Sequence, residues 1–312
     1  MKAGGLKKVI VADYYGFCMG VKHAIAIARE TAELAETSTI LKEIVHNDAV
    51  VDDFKKKGVG QARSIDEIAE GTVIIPAHGA SPEVLRKAEQ KKLKIVNATC
   101  PLVIRIHKIV KKLAEEGYRI LHFGDPEHDE TVGIVGWAPD RVEVIPTLEA
   151  LLAYPDYSGK LALTSQTTAR SADFATVEEA AHRRFPQIEV YNTICNATNQ
   201  RQEAILKLAP MVDMILVVGS PSSANSNRLV KISRTICPES YLINSAEEIR
   251  MDWFTGPKAI RTVGLSAGAS TPDFLIAGAI DRLREISKGD IQVVYSTREQ
   301  RGNRLAMDEK TF

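Results

Sequence analysis

Residues 8–28 read KVIVADYYGFCMGVKHAIAIA: an apolar run, a short polar loop, a cysteine at position 18, then apolar residues at helical spacing. The same order recurs at 94–113, KIVNATCPLVIRIHKIVKKL, and at 190–209, VYNTICNATNQRQEAILKLA. Each stretch reads as a β-strand whose carboxyl end enters an α-helix through a cysteine-bearing loop. Cys18, Cys100 and Cys195 lie 82 and 95 residues apart, so each opens a module of its own.

The likeness continues past each cysteine. A second apolar run ends in a polar loop (STILKEIVHND, YRILHFGDPEHDE, DMILVVGSPSSANSN), and a third does the same (GTVIIPAHGAS, KLALTSQTTARS, RTVGLSAGASTP). Between them lies a turn opened by Ser or Thr, where Ser64 with Glu67 and Ser245 with Glu248 have capping-box spacing. Helices are predicted around 82–90, 172–184 and 273–287, and a last strand around 291–295. Parallel neighbours need crossover connections, so strands alternating with helices predict parallel sheets flanked by helices.

The expected fold is therefore α/β: three pseudo-threefold-related lobes forming a trefoil, each a small parallel sheet flanked by helices, around a central cavity. The expected lobes are 18–99, 100–194 and 195–288, the third completed by the N-terminal strand 8–13, with 289–312 as C-terminal strand and tail. Ligands of open parallel sheets bind beyond the carboxyl ends of strands, and every polar loop named above sits at such an end.

The 312 residues are 45% hydrophobic, enough for a substantial interior. Lys plus Arg equal Asp plus Glu at 40 each, so no basic surplus points to nucleic acid. The apolar stretch near the N-terminus is too short for a signal-peptide core or a membrane span, and four cysteines without close pairs do not form a secreted disulfide framework. These features predict a cytoplasmic protein with a small-molecule partner. No Walker A sequence and no GxGxxG opening a helix occurs, so electrons for any redox chemistry must come from outside.

A cysteine at a helix N-terminus has its thiolate favoured by the dipole and by nearby N–H groups, which suits metal binding. Structural zinc takes four protein ligands, commonly in close pairs, whereas these three cysteines are isolated; an iron–sulfur cubane with one iron free of protein fits better. The residues alone also leave open a non-catalytic zinc or sensing module and three packed free thiols. Cys237, in RTICPESYLI, falls outside the repeat and reads as structural. His23, His107, His122 and His182 are assigned no role.

In order, GFCMGV, VHN followed by VVDD, AHG, ATCPLV, SQTT, NATNQRQEA, VVGSPSSANSNRL and SAGAS resemble the LytB-type 4-hydroxy-3-methylbut-2-enyl diphosphate reductases of the non-mevalonate isoprenoid pathway, over about residues 9 to 280. The resemblance implies a 4Fe–4S cluster held by Cys18, Cys100 and Cys195 with one open iron. It implies an allylic diphosphate substrate, reductively dehydroxylated to isopentenyl and dimethylallyl diphosphates, and an external electron donor such as ferredoxin or flavodoxin. Glu130 would supply protons to the departing hydroxyl, with Thr167 relaying or orienting them. His46, His78, His128, Thr168, Ser222, Ser223, Asn225 and Ser270 would meet the substrate. Two positions depart from the family pattern: Ala224 where many relatives carry Ser, and Asp129 where relatives often carry Pro between the His and the Glu. The quinolinate synthases resemble the same architecture and also use three cysteines, but their motifs do not match.

Overall fold

The computed structural model describes residues 5–255 and 259–296. Residues 297–312, which hold the RGNR segment and most of the expected tail, lie outside the described residues. The chain divides into two compact units, Phe17–Asn199 with Ser222–Arg228, and the residues up to Gly16 with Gln200–Pro221 and those from Leu229 on.

After β1 (Lys8–Val11), the first module contains α1 (Met19–Leu34), β2 (Ser38–Leu41), α2 (Asp48–Lys56), β3 (Gly60–Ala62), β4 (Thr72–Ile75), α3 (Pro82–Gln90) and β5 (Lys94–Asn97). The second contains α4 (Pro101–Glu115), β6 (Arg119–Phe123), α5 (Asp129–Val135), β7 (Val142–Ile145), α6 (Leu148–Ala153), β8 (Leu161–Ser165), α7 (Ser171–Arg184) and β9 (Glu189–Val190). The last contains α8 (Asn196–Leu208), β10 (Met214–Val218), α9 (Ala224–Arg234), β11 (Ser240–Ile243), β12 (Thr262–Ala267), α10 (Asp273–Ile286) and β13 (Gln292–Tyr295).

The first unit holds two four-stranded sheets, ordered β3-β2-β4-β5 and β7-β6-β8-β9, and the other unit one five-stranded sheet, β11-β10-β12-β1-β13. The pairings are parallel throughout. In the five-stranded sheet β1 pairs with β12 as β5 pairs with β4 and β9 with β8, and β13 adds a strand beyond it.

The sequence explains these elements. Strands covered on both faces carry unbroken apolar runs, and every side chain of β10 (MILVV) and β8 (LALTS) is buried. Helix α1 buries Val21, Ala24, Ile25 and Ala28, spaced as one helical face, into a core that contains Ile40, Ile44 and Ile74. Val21 and Ile25 each contribute roughly 1.5–3 kcal/mol by leaving water, the alanine methyls less. The second module has its own core, in which Leu121, Leu163, Phe174 and Val177 are buried.

The Ser-opened turns depart from expectation. Ser64 accepts from the Asp66 N–H and Glu67 reaches back to the Arg63 N–H, but around a single 3-10 turn rather than an α-helix. Ser245 caps nothing; there Glu248 alone reaches back, to the Asn244 N–H.

Gly71 ends the first of these turns at φ +90°, and a Cβ there would lie 2.2 Å from Thr37 Oγ1 and 3.2 Å from the Thr37 carbonyl oxygen. Gly58 also has positive φ, +80°, but nothing within 4 Å of a Cβ. Gly71→Ala should therefore lower stability by about 2 kcal/mol or more, and Gly58→Ala by about 1 kcal/mol. Urea midpoints of the two variants check this, and equal losses would contradict it.

Candidate active site

Parallel pairing brings the loops that follow β2, β4, β6 and β8 to the carboxyl ends of their sheets in the first unit, and these loops carry His46, His78, His128 with Glu130, and Thr167. The three repeated cysteines belong to the same unit, each just before a helix. Cys18 Sγ accepts from the Val21 N–H at 3.4 Å, and Cys195 Sγ from the Thr198 N–H at 3.3 Å, with Thr198 Oγ1 3.0 Å away. Burial pushes the Cys100 and Cys195 thiols up, against amides that pull them down: those of Leu102 and Val103 at Cys100, and that of Thr198, with its hydroxyl, at Cys195. Both also feel Cys18 and Glu130 electrostatically, so the three sulfurs and the carboxylate occupy one neighbourhood.

Gly20 makes that approach possible. A Cβ there would fall 2.4 Å from Cys100 Sγ and 4.0 Å from Cys18 Sγ, so only glycine leaves room for the Cys100 thiol beside α1. All three cysteines are free and half-buried. Soft sulfur donors at three helix N-termini, crowded yet unbridged, fit a metal or metal cluster that would replace their protons. Cys237 is buried in an apolar core of the other unit, with Ile215, Val217 and Ile232, consistent with its structural reading.

Glu130 is 3% exposed, in the first turn of α5. Its two oxygens accept from Thr167, Oε1 from the N–H at 2.7 Å and Oε2 from the hydroxyl at 2.6 Å. Burial raises its pKa; the two Thr167 bonds and His46 lower it but do not cancel the rise. Cys195 is tied to the same loop, its N–H donating to the Thr167 carbonyl at 3.1 Å.

Beside this group, His46 stacks on His78 with centroids 5.0 Å apart and planes at 7°, and meets His128 edge-on at 5.2 Å. His128 caps α5: its Nδ1 accepts from the Glu130 N–H at 3.2 Å, which puts the proton of the neutral ring on Nε2. Burial lowers the His128 pKa to about 4 and that of His78 to about 3, assisted in both by His46. Both rings are thus neutral near pH 7, and neither Nε2 has a hydrogen-bond partner among the described residues. His128 and His46 line a pocket of about 900 Å³ together with Lys42, Arg63 and Ser222, and His78 is stacked on His46.

The other expected residues are placed less centrally. The Thr168 hydroxyl accepts from Gln166 Nε2 at 2.8 Å, while Gln166 Oε1 accepts from the Asp125 N–H at 3.0 Å and so links the Thr167 and Glu130 loops. Ser223 is buried in its own turn, accepting from the Ser226 N–H and hydroxyl. Asn225 is buried with its Nδ2 unpartnered among the described residues. Ser270 is buried in the loop after β12, in the other unit. Sequence reasoning missed Gly20, Gln166, Lys42 and Arg63. Gln166 stood inside the quoted SQTT motif, Gly20 inside GFCMGV and Lys42 inside STILKEIVHND, whereas Arg63 lay in none of them.

A carboxyl with a higher pKa folded than unfolded favours folding at pH below its unfolded value, and that contribution is lost as pH rises through the folded value. Glu130→Gln removes this dependence. The stability of the variant relative to the parent, from urea unfolding, should therefore increase as pH rises from the ordinary glutamate range through the raised pKa; a difference independent of pH would contradict a raised pKa at Glu130.

Comparison with known proteins places the chain in a family. Residues 9–284 match the LytB protein family. The 4-hydroxy-3-methylbut-2-enyl diphosphate reductase of Trichlorobacter lovleyi is 38% identical over 280 residues, covering 90% of this chain and 99% of the relative. The Brevibacillus brevis protein of the same name is 40% identical over 291 residues, covering 90% and 93%. Among solved structures, the E-1-hydroxy-2-methyl-but-2-enyl-4-diphosphate reductase from Plasmodium falciparum aligns with TM-score 0.88 at 28% identity, over 94% of this chain and 93% of that one. With matches running almost end to end in both directions, the chain belongs to the LytB family.

Proposed function

We propose that the chain carries out the reaction for which these relatives are named, reduction of 4-hydroxy-3-methylbut-2-enyl diphosphate in the non-mevalonate pathway, and that Glu130 is its proton donor. The allylic C–O bond breaks, two electrons and two protons are consumed, water leaves, and isopentenyl and dimethylallyl diphosphates form. The observation that carries this reading is the buried Glu130 carboxyl, bonded twice to Thr167 and set among three free thiols at helix N-termini.

Cys18, Cys100 and Cys195 would hold a 4Fe–4S cluster. Such a cluster, when bound, would supply Lewis acidity toward the substrate hydroxyl and electrons for the allylic fragment as the C–O bond breaks. The chain's own residues do the remaining work. Burial favours the protonated form of Glu130, so a proton is available for the oxygen that leaves. The Thr167 hydroxyl and N–H fix the carboxyl in place, and a positioned acid of this kind contributes roughly 10²–10⁴-fold.

The diphosphate would be met largely by neutral donors. His128 offers Nε2–H, His46 and Ser222 line the same pocket, and His78 stacks on His46. Thr168, Ser223, Asn225 and Ser270 are carried over from the family match, and Ala224 supplies no hydroxyl where many relatives have one. Electrons come from an external carrier such as ferredoxin or flavodoxin. We place the enzyme in the cytoplasm; among the described residues no helix is long and apolar enough to cross a membrane.

Anaerobically prepared protein should be brown, and Cys100→Ala should lose the cluster absorbance. With a reduced mediator, Glu130→Gln should bind the allylic diphosphate with little change but turn over at least about 10²-fold more slowly. An unaltered rate would remove the proton-donor assignment, and a colourless zinc protein would remove the reductase reading.

A further inference from the structure

We propose that His46, His78 and Asp129 form a binding site for a divalent transition cation of the zinc class, at the same pocket as the substrate cradle. One nitrogen of each imidazole and one oxygen of the carboxylate lie within 4.8 Å of one another. His78 is 7% exposed, and its Nε2, without a hydrogen-bond partner among the described residues, is 3.7 Å from Asp129 Oδ2. The near-parallel stack of His46 on His78 sets the two rings side by side. His46 Nδ1 is 3.2 Å from Glu43 Oε2. A carboxylate behind an imidazole fixes the ring and raises its basicity, the arrangement found behind metal-bound histidines. Two imidazoles and one carboxylate form a donor set that zinc-like cations accept, with further positions left to water.

The surrounding charge agrees. The pocket wall carries five carboxylates against two basic side chains, so its field favours cations. One of those bases, Lys42, already uses this: its ammonium binds Asp129 Oδ1. Bonds of about 2.0–2.1 Å put tetrahedral ligand atoms roughly 3.3 Å apart, so the set must contract and Lys42 must release Asp129. The cation and the Lys42 ammonium therefore compete for one carboxylate.

That competition supplies the test, which is read by binding alone and does not depend on the reductase reading. Zinc chloride is titrated calorimetrically, in a non-chelating buffer, into anaerobically purified protein whose three repeated thiols are already occupied by iron, and into two variants prepared alike. Asp129→Asn should weaken zinc binding at least tenfold. Lys42→Met should tighten it by a similar factor, a gain that misfolding does not produce. Absence of zinc binding by the parent protein, unchanged affinity in Asp129→Asn, or unchanged or weaker affinity in Lys42→Met would each overturn the proposal.

Discussion

Parallel pairing obliges all strands of a sheet to end at one edge, and the first unit uses both of its sheets in this way. The apolar interiors of β4 and β8 have no chemistry, but each ends where the chain turns polar: His78 follows one and Thr167 the other. The loops after β5 and β9 contribute Cys100 and Cys195, and the loop after β6 contributes His128 and Glu130. Burial of the strands thus decides where the reactive groups lie. A one-residue slip in register would turn an apolar strand's side chains to the opposite faces and displace the loop beyond it.

Within the site, desolvation is the strongest influence, and its effect depends on the group. It keeps His78 and His128 neutral, so the cradle presents uncharged rings, and it favours the proton on Glu130. Hydrogen bonds moderate it: the Thr167 N–H and hydroxyl restrain the rise at Glu130, as backbone amides do at Cys100 and Cys195. The two basic side chains of the pocket wall face five carboxylates, so anion binding there depends on directed donors rather than on net charge.

The α/β class and the repeated modules were legible because they rest on local patterns, an apolar run followed by a polar loop and a helical face. The cysteines were legible because each recurs in that pattern. Glu130 was not, on its residues alone: among Asp125, Glu127 and Asp129 it reads as one more solvated acid, and only its position in the repeat and the family likeness singled it out. Its burial comes from Thr167, distant in sequence, and from the short helix capped by His128. Lys42 on Asp129 and Gly20 against Cys100 are likewise contacts between modules, for which no local signal exists. Of the two capping-box spacings, the serine cap formed at Ser64 and not at Ser245, where only Glu248 reaches back, so the spacing marked the turns but not the cap.

The central claim is that three thiols from three repeated loops hold one cluster whose remaining iron receives the substrate. Mössbauer spectra of the ⁵⁷Fe-enriched, anaerobic protein, recorded with and without the allylic diphosphate, test it directly. One iron of the four should be distinct from the rest, and it alone should shift when the substrate is added. Four equivalent irons that ignore the substrate, or no iron bound by Cys18, Cys100 and Cys195, would contradict the account.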